Sequence, residues 1–334
     1  MNFHNTIFKK ISTFRNPYLL SFLISMLVFS CQEHEEVVPL NDQPSLKSNE
    51  GTNTSVPNGR TANGSAIYYD WSGDVEVVVT TATDSNCAHC TASAEVPEGY
   101  VLIGGGAYTE KVGAGAFLTE SYPDEHSQTW HARSKDHIDS DVHDLVAYSI
   151  GLKLKNISAY TLKNNYIDYD SDESGIKAHP SSSESVPYGY KLIGGGARTK
   201  NVNYSSGGSL ITESYPSGNR WYAKSKDHKR SDPASMVAYA IGIKDYIPGF
   251  GYLDIRRESR NSSYTSTGWD DSQTNNTSGW VLASAGGRAT YGSKGRLITS
   301  IKGDENYVKV VTKDHKDKDG GYTYSYLIKV RKRP

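Results

Sequence analysis

Cysteine is scarce, with three residues in 334, and two of those sit together as Cys87-Ala88-His89-Cys90. No second pair completes a zinc site, and Thr91 stands where a haem-attachment string needs histidine, so both groups are excluded. In an oxidising compartment the pair reads as a local disulfide, Cys87–Cys90, ahead of a metal half-site with His89 or a redox pair. Helical periodicity is missing, which excludes a helical bundle. A strong charge excess is missing too, at 36 basic against 37 acidic residues. Removing Lys9, Lys10 and Arg15 with a leader leaves 33 against 37, about −4, which argues against nucleic acid as a bulk partner. No string has the lysine and hydroxyl of a phosphate loop, and none forms a nucleophile elbow.

What is present is a block written three times. Gly99-Tyr100-Val101-Leu102-Ile103-Gly104-Gly105-Gly106-Ala107 returns 90 residues later as Gly189 to Ala197, and after 90 more in weakened form as Gly279 to Gly287. Lys135-Asp136-His137, Lys226-Asp227-His228 and Lys313-Asp314-His315 recur downstream. Such self-similarity marks one supersecondary unit reused. The phase divides the chain into repeats at 66–154, 155–244 and 245–332, each a variable leader of some 30 residues followed by a better-kept half.

The kept half reads as four strands. The first, Tyr100 to Ile103, runs into the glycine triplet, a place for a bulge, a bend or close backbone approach. The second is Phe117 to Tyr122, stopped by Pro123, with its copy Leu210 to Tyr215 stopped by Pro216. The third starts at Trp130 or Trp221, and the fourth is Ala147 to Lys153, Ala238 to Lys244 and Ser325 to Arg331. Short β-branched and aromatic runs between Gly, Pro, Asn and Ser clusters define an all-β protein of three tandem repeats of about 90 residues. Pseudo-threefold packing, as in a β-prism or a trefoil-like assembly, is the expected architecture, with three small β-sandwiches as the alternative. The units resemble glycine-triplet repeats of secreted bacterial proteins that close on a strand like Ala238-Tyr239-Ala240-Ile241; that resemblance implies no assigned activity.

The N-terminus reads as targeting. Lys9, Lys10 and Arg15 precede an apolar stretch, Leu19 to Phe29, too short to span a bilayer comfortably. Val28-Phe29-Ser30-Cys31 resembles a bacterial lipobox, which implies a signal peptide over 1–30 and lipidation of Cys31. Gln32-Glu33-His34-Glu35-Glu36 resembles the acidic export signal of surface lipoproteins, which implies a lipid-anchored protein on the outer membrane, facing the exterior. Residues 31–65 hold the lipidated cysteine and a Pro/Ser/Asn/Thr/Gly tether too poor in apolar side chains to fold.

The third strand is the candidate for function. Side chains alternate across a strand. Trp130, Ala132, Ser134 and Asp136 share the face expected to go inward, with Trp221, Ala223, Ser225 and Asp227 as copies. The other face carries His131, Arg133, Lys135 and His137, then Tyr222, Lys224, Lys226 and His228, then Lys309, Val311, Lys313 and His315. This is a cationic row whose bland reading is a solvated strand face or a guarded edge. Each histidine is followed four residues later by an acid, Asp141, Asp232 or Asp319, which either tunes the imidazole or closes a turn. If the row is functional, its ligand is an extended anion. Tyrosine is abundant at 24 residues, and Tyr122, Tyr215, Trp130 and Trp221 beside the row offer flat surfaces for sugar rings. Tyr148, Tyr239 and Tyr326 are expected in the core or in sheet packing.

The expected function is binding of acidic polysaccharide, sulfated or uronate, through repeated basic and aromatic patches. The alternative is a polysaccharide-degrading enzyme. A lyase would use His137 or His228 with Tyr122 or Tyr215 and Arg133 or Lys224; a hydrolase would pair Glu120 with Glu213. A third reading is a purely structural or protein-binding module. No cofactor or metal is expected. Asp168, Asp170, Asp172 and Glu173, and Asp317-Lys318-Asp319-Gly320, hint weakly at calcium but fit no full loop pattern.

Overall fold

The computed structural model describes residues 61–110, 113–200 and 208–334. The signal, Cys31 and most of the tether lie outside them. The first repeat forms β1 (Thr61–Tyr69), β2 (Val75–Cys87), β3 (His89–Glu95), β4 (Val101–Glu110), β5 (Ala116–Asp124), β6 (Thr129–Asp136) and β7 (His143–Leu154). The second forms α1 (Ala159–Tyr166), β8 (Ile167–Glu173), β9 (Ser181–Ser185), β10 (Lys191–Lys200), β11 (Ser209–Ser217), β12 (Arg220–Asp227) and β13 (Ser235–Ile243). The third forms β14 (Tyr246–Ile247), β15 (Gly251–Asn261), β16 (Trp269–Asn275), β17 (Val281–Ala289), β18 (Arg296–Gly303), β19 (Tyr307–Asp314) and β20 (Thr323–Lys332).

These strands make three antiparallel sheets, and every sheet is shared by two repeats. One runs β1-β2-β7-β4-β18-β19-β16, the next β3-β6-β5-β10-β13-β8, and the last β14-β15-β20-β17-β11-β12-β9. The first repeat thus gives β2, β7 and β4 to one sheet and β3, β6 and β5 to another, and the other two repeats do the same in turn. The result is a closed three-sheet prism around one apolar core drawn from all three repeats, not three separate sandwiches. The handover is short. Arg198 pairs with Glu120, Arg288 with Glu213 and Tyr108 with Ser300, each with one further residue pair.

The glycine triplet makes this closure sterically possible. All three copies carry a bulge there, at Leu102/Gly104, Leu192/Gly194 and Leu282/Ser284. A Cβ on Gly194 would lie 1.9 Å from the Ile103 carbonyl oxygen, and one on Gly104 would lie 2.1 Å from that of Ala283. The next glycine makes room for an indole. A Cβ on Gly105 would lie 2.4 Å from both the Trp130 ring and the Tyr148 carbonyl oxygen, and one on Gly195 2.5 Å from Trp221 and 2.4 Å from the Tyr239 carbonyl oxygen. Each indole N–H donates to a serine hydroxyl, Trp130 to Ser121 at 3.0 Å and Trp221 to Ser214 at 3.1 Å. The third repeat replaces the whole set, with Val308 for tryptophan, Ala285 for glycine and Ile301 for serine. Once the indole goes, its space is refilled by a methyl and its acceptor becomes apolar.

The leaders are more ordered than their composition suggests. Each supplies an equivalent pair of strands, β2 and β3, β8 and β9, or β15 and β16, and the first and third add β1 and β14. One short helix, α1, interrupts the all-β pattern; Ser158 caps it by accepting from the Thr161 N–H at 3.1 Å, and only Leu162 is buried. Its single apolar contact explains why no periodicity announces it. The second strand does not stop at its proline. Pro123 and Pro216 lie within β5 and β11, opposite Trp130 and Trp221. Cys87 and Cys90 are joined by a disulfide.

Candidate functional site

The cationic row of the third strand divides into two regions with different surroundings. Strand periodicity holds along β6, with Trp130, Ala132 and Ser134 buried on one face. On the other face His131 and Arg133 are partly exposed, but Lys135 is 2% exposed and His137 is 2% exposed. In β12 the same break falls between half-exposed Lys224 and buried Lys226. In β6 and β12 the expected outward row therefore ends halfway, whereas in β19 (Tyr307–Asp314) Lys313 stays partly exposed and only His315 beyond it is buried. The alternation gives the face of a side chain but not what neighbouring chain packs onto that face.

What packs there is a hairpin loop from the next repeat. The Lys313 ammonium donates to the carbonyls of Gly113, at 2.9 Å, and Ala114. The Lys226 ammonium donates to the Lys294 carbonyl at 2.5 Å. The amides of these same loops turn to an aspartate of their own repeat. Asp141 accepts from Gly113 and Gly115 at 3.0 and 2.6 Å, and Asp319 from Gly292 and Lys294 at 3.0 and 2.6 Å and also from Gly295. Burial opposes the charge on Asp319, yet those N–H groups outweigh it and hold its pKa below the usual range. Asp141 and Asp319, two of the aspartates that follow the histidines, thus fasten loops rather than tune imidazoles.

His137, His228 and His315 meet in a triangle, with ring centroids 5.8, 5.4 and 5.7 Å apart. His137 Nε2 lies 2.5 Å from the His228 carbonyl, and His228 Nε2 lies 2.6 Å from that of His315. Residues Ile138, Lys229 and Lys316 follow with φ of 69°, 61° and 62°, the left-handed region that a β-branched residue rarely takes. Burial is the main force on the imidazoles and disfavours their charge. It lowers His137 to about 4 against the carbonyl bond that raises it, and it lowers His228 and His315 as well. Burial also pulls Lys135, Lys226 and Lys313 down. Two cross-repeat ion pairs rim the hub, Lys316–Asp139 at 2.5 Å and Lys229–Asp317.

The outward part of the row joins residues from the neighbouring repeat at the sheet handover. Glu120, 5% exposed, faces two guanidinium groups, Arg133 at 3.4 Å and Arg198 at 3.5 Å. Arg198 lies over the Tyr122 ring at 4.8 Å, and Tyr122 stacks on Tyr239 at 5.2 Å, with the His131 ring 5.4 Å away. The second handover repeats the plan. Glu213 faces Lys224 at 3.9 Å and Arg288 at 3.7 Å. Arg288 lies 5.3 Å over Tyr215, which stacks between Tyr326 at 5.0 Å and Tyr222 at 5.5 Å. Glu120 and Glu213 each face two cations, and on the first platform Asp124 adds a second carboxylate 3.7 Å from His131. The third handover exchanges partners. Ser300 replaces the glutamate, and Lys302 now lies 4.6 Å over Tyr108, so the cation and the ring have swapped strands.

Several expected groupings do not form. Tyr122 and Arg133 sit on the first platform while His137 sits in the hub, and Tyr215 and Lys224 are divided from His228 in the same way. Glu120 and Glu213 lie in different sheets, each among its own cations. Trp130 and Trp221 are core residues, 1% and 0% exposed, and are shielded from any ligand. Arg198 and Arg288 complete the platforms and had no place among the expected site residues, and Tyr239 and Tyr326, expected in the core or in sheet packing, are partly exposed and stack on Tyr122 and Tyr215. Their signal was available, since Arg198 and Arg288 directly follow the recurring glycine block. Among the described residues one cluster has metal-ligand proximity, Asp84 with Cys87 and Cys90, and its two sulfurs are spent on the disulfide. No known protein family matches the chain, and no curated protein is significantly similar to it.

Proposed function

We propose that the protein is a surface lipoprotein that binds acidic polysaccharide, sulfated or uronate, on the Tyr/Arg platforms of its sheet handovers. One observation carries this reading: the same half-exposed assembly of stacked tyrosines under a guanidinium is built twice, from equivalent residues of different repeat pairs. Stacked phenol rings offer flat apolar area to a pyranose face with little side-chain entropy to lose. The planar fork of Arg198 or Arg288 matches a carboxylate or sulfate on the sugar. Two platforms on one rigid prism let a polymer engage both, so modest single-site affinities multiply. His137 and His228 stand in the hub, apart from Tyr122 and Tyr215, which speaks against the lyase sets drawn from those two histidines; His131, 5.4 Å from Tyr122, is the histidine that a platform does hold. The proposed anchor is Cys31, and the proposed location is the exterior face of the outer membrane. The test is affinity electrophoresis in gels holding alginate or a sulfated galactan. Tyr122→Ala with Tyr215→Ala is expected to abolish retardation while the fold persists by circular dichroism. Undiminished retardation would refute the platforms as the binding surface.

A further inference from the structure

The repeats meet again at the other end of β4, β10 and β17, where each strand begins beside the leader of the next repeat. These three junctions differ. Between the first and second repeats lies an open cleft of about 570 Å³ lined by Glu95, Glu98, Val101 and α1. Between the third and first the place is filled by Trp71, whose backbone N–H donates to the Gly279 carbonyl at 3.1 Å and whose indole N–H donates to that of Lys332 at 2.9 Å. Between the second and third lies a cavity of about 300 Å³ lined by Lys191, Arg256, Arg257 and Arg333 against Asp245 and Asp254.

Four cations line this cavity against two carboxylates, +2 (4 − 2), on a chain whose formal charge is −1; Arg256 also lies 5.2 Å over the Trp280 ring, and Arg257, on the other face of β15, donates to the Gly218 carbonyl. Asp254 is already answered by Arg333 at 2.9 Å and Arg331 at 3.3 Å. The charge is not a demand of the scaffold, because valine stands at the position of Lys191 in both other repeats, as Val101 and Val281. At the rim, Tyr246 and Tyr252 are half exposed, their rings 4.7 Å apart, and the Arg333 guanidinium lies 4.9 Å from the Tyr252 centroid. The volume is at the small end for ligand sites, suited to one sugar residue and not to a chain passing through.

We propose that this cavity binds the anionic terminal residue of a saccharide, its carboxylate or sulfate held between Lys191 and Arg256 and its ring set against Tyr252, which shares the Arg256 face of β15. The inference rests on the reading of the chain as an acidic-glycan binder but uses none of the platform residues, so the two fail separately. The experiment is calorimetric titration of the chain with glucose 6-sulfate, glucuronate, glucose and inorganic sulfate. Binding of an anionic sugar at least tenfold tighter than glucose is expected. Lys191→Glu with Arg256→Gln should weaken it more than tenfold. The milder Lys191→Val, which installs the residue of the other repeats, should weaken it several-fold with the fold intact. Tyr122→Ala with Tyr215→Ala should leave these titrations within twofold while losing polymer. Glucose binding as tightly as the anionic sugars, inorganic sulfate binding as tightly as glucose 6-sulfate, or unchanged affinity in the Lys191 variants would each overturn the proposal.

Discussion

The hub and the platforms lie along the same strands, yet they have diverged in opposite ways. The Lys-Asp-His hub keeps its residues in all three repeats, including the one that lost its tryptophan, its glutamate and its second-strand tyrosine. It is also the most buried part of the row. The platforms stand on a partly exposed surface, persist in two copies and are rewired in the third. Repetition within one chain therefore reports the demands of closing a pseudo-threefold ring. A ring needs three identical corners, whereas a ligand needs only as many sites as it touches.

If that contrast is right, substitutions should separate by region. The largest loss is expected from Asp319→Ala, which strips the shared acceptor from the amides of Gly292 to Gly295, exposed as far as Lys294 and buried at Gly295, next to the buried Lys226. Removal of one partner in such a network costs about 3–5 kcal/mol, read as a fall in urea midpoint. Trp130→Val comes next, at about 2–4 kcal/mol for the cavity left. Adding Ser121→Ile supplies the apolar partner that Val308 has in the third repeat and should recover part of that loss, whereas adding Gly105→Ala should not, because its Cβ would also lie 2.4 Å from the Tyr148 carbonyl oxygen. Simple additivity of Trp130→Val and Ser121→Ile would sink the coupled account.

Acid comes third. A histidine whose folded pKa lies below its unfolded value of about 6.5 binds fewer protons when folded, so stability falls as pH drops through that window. With His137 lowered to about 4, the loss between pH 6.5 and 4 is on the order of 3 kcal/mol from that residue, and His228 and His315 act in the same direction. Denaturation midpoints across this range should show the slope in the parent chain and a shallower one in His137→Gln; parallel slopes would contradict burial as the cause. The smallest stability effect belongs to the platform. Tyr122→Phe should cost less than about 1 kcal/mol, since the phenyl ring keeps the contact with Arg198.

How far each region was legible follows from the same contrast. Strand alternation correctly put Trp130, Ala132 and Ser134 inside and His131 and Arg133 on the opposite face, because those assignments depend only on the local period. It did not show that Lys226 is covered, because the cover is a loop from another repeat, 68 residues away at Lys294. The glycine triplet announced close approach, but its partner, the backbone at Ile103 for Gly194, emerges only when the ring closes. The platforms were half visible. Tyr122 and Arg133 were named, whereas Arg198 and Tyr239 reach them across the handover from the next repeat.

The division between hub and platform is tested most directly by one binding comparison at fixed salt. The chain, an Arg198→Gln/Arg288→Gln variant and a Lys226→Met variant are each titrated with the same sulfated polysaccharide, with circular dichroism showing all three folded. The platform variant should bind more than tenfold more weakly, and the hub variant should bind as the parent does. Undiminished binding without the two arginines, or lost binding in a folded Lys226→Met protein, would contradict the assignment.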